Sequence, residues 1–226
     1  MTIGDNNILI VGDVHGKWGK LNMLINKRQP SMILSCGDFG YWPRFLARDF
    51  TFSLKNRGIP IHFCDGNHED HESLLALKDG GKIPEMNDVF YQRRGSTMTL
   101  PDGRTVLFMG GADSIDKEWR TRGVSWFPEE VITSKDVRSL PDCNIDIVVS
   151  HTCPAELLPI LLGEDPRKEN DPSNAALSHI LEKYSPSFWY FGHWHVSLHG
   201  TIGRTRWHAL NMASETGWWR WLDQVD

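Results

Sequence analysis

The sequence has little of several things. Its four cysteines, Cys36, Cys64, Cys143 and Cys153, are scattered without a C-x-x-C pair. That is the usage of a chain kept reduced, and a cytoplasmic location is expected. No apolar run approaches the length that spans a bilayer. The opening MTIGDNNILIVGD has neither a basic stretch nor a long apolar one, so no signal peptide and no membrane partner are expected. Basic residues are not in excess. The formal net charge of -5 argues against duplex binding driven by charge alone. Repeats, low-complexity tracts and linkers are also missing, and 226 residues suit one domain over 1–226.

What is present is ten histidines, ten tryptophans and five short apolar runs. The runs at 8–11, 32–36, 61–64, 145–149 and 188–191 read as buried strands. Helical patterns are expected at 17–27, at 45–56 after Pro43, at 72–77, and at 173–184 behind Pro172. The alternation argues for an α/β sheet with helices on its faces. A second group, 89–92, 97–100 and 105–109, is expected to be antiparallel, with PDGR at 101–104 as a turn. The aromatic stretch 197–222 alternates, with turns at Gly203-Arg204 and at 215–217. Trp189, Trp207, Trp218, Trp219 and Trp221 are expected to pack in that second sheet.

Each apolar run is followed by a polar cluster: GDVHG at 12–16, GDFG at 37–40, DGNHE at 65–69, SHTCP at 150–154 and GHWH at 192–195. Ligands of open α/β sheets collect beyond the carboxyl ends of the strands, so five such clusters converge on one place. Asp13 and His15 are two apart in a loop leaving a strand, and His193 and His195 repeat the spacing. Asp38 supplies a carboxylate able to bridge two ions, Asn67 a carbonyl oxygen, and His151 another imidazole. Imidazole with carboxylate suits Mn, Fe, Zn or Ni. Singly, a strand-end histidine is more often structural and a G-D pair is commonly a turn. The joint pattern carries the argument.

In this order, D-x-H, G-D, G-N-H-E, S-H and G-H-x-H resemble the calcineurin-like metallophosphoesterase superfamily over residues 12–195. The resemblance implies two packed mixed β-sheets flanked by helices, in four layers. It implies a hydrolase that cleaves a phosphate ester with two divalent ions, manganese foremost, with iron, zinc or nickel as alternatives. By similarity, Asp13, His15 and His195 hold one ion, Asn67, His151 and His193 the other, and Asp38 bridges both together with a water or hydroxide. His68 is implied as the general acid for the leaving oxygen. Its orienting partner stays open among Asp65, Glu69, Asp70 and Asp113.

One motif departs. Protein Ser/Thr phosphatases of the superfamily share G-D-x-x-D-R-G, where this chain has Tyr41 and Trp42 in place of the Asp and Arg. That disfavours a phosphoprotein phosphatase, which is kept as an alternative, as is a non-catalytic metal-binding scaffold. Candidate substrate contacts are Arg44, then Arg120 and Arg122 in a rim segment at 110–123, and Tyr41 and Trp42 as rings that stack on a base. A phosphodiester or nucleotide-type substrate, nucleic acid included, is the favoured reading. Trp194 is expected to point away from the metals by strand alternation. His62, His71, His179, His199 and His208 are expected to be structural or exposed.

Overall fold

A computed structural model describes residues 7–44, 53–163 and 171–224. Strands β1 (Ile8–Val11), β2 (Met32–Ser35), β3 (Ile61–Phe63) and β4 (Val89–Tyr91) are parallel neighbours in one sheet. A last strand, Trp219–Trp221, closes that sheet antiparallel to β1. The other sheet holds β5 (Thr97–Thr99), β6 (Thr105–Met109), β7 (Ile147–Ser150), β8 (Phe188–Phe191), β9 (Leu198–Ile202) and β10 (Thr205–Ala209). Its order is β5-β6-β7-β8-β10-β9, parallel from β6 to β10, with antiparallel edges. The Trp219–Trp221 strand is β11.

Alternation explains the layers. Successive strand residues face opposite sides. Ile8 and Ile10 of β1 join Leu34, Val106, Phe108, Ile147 and Val149 between the sheets. Leu9 and Val11 face the outer side, where Trp18, Leu21 and Ile25 of α1 (Trp18–Arg28) cover them. In the second sheet Leu107, Val148 and Trp189 face outward to Leu177 and Ile180 of α5 (Pro172–Tyr184). Strands buried on both faces read as continuous apolar runs. Helix α5 starts where Pro172 occupies its first turn and the Asp171 side chain accepts from Ser173 N–H at 2.7 Å. Between α1 and α5 in chain order lie α2 (His71–Ala76), α3 (Ser134–Arg138) and α4 (Leu158–Leu162).

Three expectations change. The strand at 89–91 is parallel to β3 and belongs to the first sheet, not to an antiparallel group. The C-terminal strand also returns to the first sheet, so Trp219 and Trp221 flank β1 and Trp218 packs in the α1-side core. The helix expected at 45–56 falls largely outside the described residues, and 53–56 are in no helix.

Candidate metal centre

The parallel strands end along one edge, and the five polar clusters emerge there together. Asp13 and His15 follow β1, Asp38 follows β2, Asn67 follows β3, His151 follows β7, and His193 and His195 follow β8. Four of these seven have left-handed backbone: His15 (φ 47°), Asp38 (45°), His193 (67°) and His195 (50°). Such conformations are sparsely populated by non-glycine residues and concentrate where function demands them. Two glycines permit close approach. A Cβ on Gly66 would collide with the Asp38 carboxylate, and one on Gly192 with that of Asp13.

The side chains form two trios. Asp13 Oδ2 lies 3.0 Å from His195 Nε2, and His195 Nε2 lies 3.3 Å from His15 Nε2. The candidate ligand atoms of this trio all fall within 4.8 Å of one another. In the other trio, Asn67 Oδ1 is 3.0 Å from His151 Nε2 and 3.1 Å from His193 Nδ1. Asp38 stands between them. Its Oδ2 is 3.7 Å from His15 Nε2 and its Oδ1 is 3.6 Å from His151 Nε2.

Supporting bonds aim these groups. His151 Nδ1 meets the Cys36 carbonyl at 2.9 Å, so Nδ1 carries the proton and the Nε2 lone pair points inward. His193 N–H donates to both Asp13 oxygens at 3.1 Å. His68 N–H donates to Asp38 Oδ1 at 2.8 Å. Burial pulls the Asp38 pKa up, but His151, His68 and His15 outweigh it and hold the carboxyl below its ordinary value. Desolvation pushes His193 down to about 3, which keeps it neutral, and the hydrogen bond to Asp13 raises His195. Two inward carboxylates, an amide oxygen and four inward imidazole nitrogens suit divalent first-row ions.

The sequence profile of calcineurin-like phosphoesterases matches residues 7–197. The chain belongs to the calcineurin-like phosphoesterase family. Similar solved structures include TT1561 of Thermus thermophilus, 14% identical with a TM-score of 0.53, covering 92% of this chain and 90% of that one. The phosphopantetheinyl hydrolase of Mycobacterium tuberculosis is 12% identical with a TM-score of 0.50, covering 97% and 96%. A putative 5'-nucleotidase from Staphylococcus aureus is 16% identical with a TM-score of 0.50, and the match takes in 91% of this chain and 48% of that one. At these identities the likeness is one of fold. No curated protein matches the sequence.

This phosphoesterase carries a cleft of about 370 Å³ over the trios, whose lining includes Asp38, Asn67, His68, His193 and His195 together with Ile115, Asp116, Arg120, Leu162 and Trp194. His68 is half-buried. Its Nε2 lies 2.9 Å from Arg120 Nη2, and a guanidinium only donates, so Nε2 is the acceptor. None of the four acidic residues considered as its partner fills that role. Asp65 binds Arg94 and the Tyr91 hydroxyl. Glu69 accepts the N–H groups of Phe39, Gly40 and Tyr41 and so shapes the loop that carries Asp38. Asp70 pairs with Arg44 and caps α2, and Asp113 pairs with Lys117.

Of the five candidate substrate contacts, Arg120 alone lines the cleft. Arg122 lines a separate groove with Glu72 and Phe127. Arg44 is engaged with Asp70 and Glu72. Tyr41 is 3% exposed in the core, and its hydroxyl donates to Glu85. Trp42 Nε1 donates to the His68 carbonyl at 3.0 Å, which ties the two loops together. Trp194 lines the cleft edge-on to His193 and also packs against the outer core of the second sheet. His62, His71 and His208 bond to Gln92, to the Gly66 carbonyl and to Arg220, away from the cleft. Ser114 and Glu130, unmarked by any motif, reach the centre through Asn67.

Proposed function

We propose that the protein hydrolyses a phosphate ester using two divalent metal ions, manganese foremost, at this centre. The observation that carries the reading is Asp38, whose two oxygens each address a different trio. Asp13, His15 and His195 hold one ion, Asn67, His151 and His193 the other, and Asp38 both. Bound ions of this kind activate water and neutralise phosphoryl charge. The protein's part is to place these seven ligands, to keep His193 neutral, and to surround the site with a partly apolar wall.

His68 and Arg120 act on the substrate. Arg120 donates to His68 Nε2 and also pairs with Asp116 Oδ1 at 2.8 Å. A phosphate in the cleft competes for that guanidinium. Once Arg120 turns to phosphate, Nε2 of His68 is released to carry the proton that the leaving oxygen needs. The substrate's organic group lies along Ile115, Leu162 and Trp194, which supports a phosphodiester or nucleotide-type ester with an apolar or aromatic part. A simple aryl phosphodiester and its monoester, each assayed with Mn²⁺, test the reading. Diester turnover that falls about 10²–10⁴-fold in His68→Ala with metal retained supports it. Turnover unchanged in that variant contradicts the role of His68.

A further inference from the structure

Asn67 differs from the other six proposed ligands in one respect. A carboxylate offers oxygen on both sides, whereas an amide offers oxygen on one and NH₂ on the other. Only the oxygen can hold a cation, so something must set which way the amide faces. Asn67 Nδ2 donates to Ser114 Oγ at 3.0 Å, while Oδ1 faces His151 and His193. Ser114 Oγ in turn donates to Glu130 Oε2. A hydroxyl has one proton. With it committed to Glu130, Ser114 can only accept from Asn67. Glu130 is fixed as an acceptor at its other oxygen by Phe127 N–H at 3.0 Å. Ser114 is 1% exposed and Glu130 0%, so water does not compete for these bonds.

We infer that Ser114 and Glu130 are positioning residues that set the polarity of Asn67, so that its carbonyl oxygen rather than its NH₂ faces the metal centre. The inference rests on the metal-centre reading above. Gln at position 130 reverses the chain with almost no change in volume. Its oxygen goes to Phe127 N–H, its NH₂ faces Ser114, and the Ser114 proton turns to Asn67. The amide then flips and presents NH₂ to the cation. Loss of such outer partners typically costs about 10–100-fold in metal affinity.

The test is calorimetric titration of chelator-treated protein with Mn²⁺. Wild type takes up two ions. Glu130→Gln and Ser114→Ala keep one ion within about twofold and hold the other about 10–100-fold more weakly. Ser114→Thr, which restores the hydroxyl, restores the affinity. Two ions bound as in wild type by both variants overturn the inference, and so does equal weakening of both ions, the mark of general structural damage. If Glu130→Gln does not fold, Ser114→Ala and Ser114→Thr decide alone. Wild type that binds no Mn²⁺ overturns the metal-centre reading instead, which separates the two failures.

Discussion

Arg120 Nη2 lies 2.9 Å from His68 Nε2, although 52 residues separate them in the chain. The same guanidinium reaches Asp116 with Nη2, and with Nη1 the Ser114 hydroxyl at 3.3 Å and the Asn67 backbone carbonyl at 3.4 Å. One side chain thus ties the loop after β3 to the rim of the cleft.

Arg120→Ala is therefore expected to lower kcat/KM for a phosphodiester by about 10²–10³-fold, as removal of one charge-stabilising donor does, with both metals retained. Arg122→Ala, in its separate groove, stays within about twofold. Steady-state kinetics with metal analysis check this, and equal losses in both variants contradict the placement.

A buried pair holds the same loop from behind. Arg94 is 10% exposed in its side chain, pairs with Asp65, and donates to the carbonyls of Glu129, Glu130 and Val131. Arg94→Met leaves a buried carboxylate without its cation and is expected to destabilise by about 3–5 kcal/mol in denaturant unfolding. A loss under about 1 kcal/mol, the range of exposed pairs, contradicts the burial argument.

His62, five residues before Asn67 on β3, gives a pH dependence separate from the metal site. Burial pushes its pKa down to about 4 from an ordinary 6.5. Between those values the unfolded chain binds the proton and the folded one does not. Its contribution is thus complete above about pH 6.5 and lost as pH falls toward 4. His62→Phe, which keeps the stacking on Phe90, is expected to flatten the decline in stability over that window. An unchanged slope in urea titrations across pH contradicts it.

Gly192→Ala is expected to weaken Mn²⁺ binding at least about tenfold, because its Cβ collides with the Asp13 carboxylate. Gly19→Ala, in α1 with nothing within 4 Å of the added Cβ, is expected to stabilise by up to about 1 kcal/mol with metal binding unchanged. Metal titration and thermal unfolding of the pair distinguish the two.

The candidate site was largely legible because parallel strands buried on both faces are short apolar runs, and each of the five runs is followed by metal-capable side chains, with a glycine beside them in four. The topology brings those ends to one edge, so sequence order translated into geometry. What escaped lies where sequence distance and space disagree. Tyr41, Trp42 and Arg44 are close to Asp38 in sequence, but Glu69 gathers the N–H groups of residues 39–41, Tyr41 is left in the core, and Arg44 is drawn to α2. Ser114 and Glu130 carry no pattern that links them to Asn67. Alternating aromatics suit either sheet, so the pattern alone puts β11 in the wrong one, and a three-residue β4 shows no direction.

The measurement that bears most directly on the central claim is parallel titration of chelator-treated protein with Mn²⁺, following bound metal and phosphodiester turnover together. The account predicts two ions per chain, with turnover rising as the second binds, and loss of both in Asp38→Ala. Binding of a single ion with full activity, or turnover in the absence of metal, would contradict it.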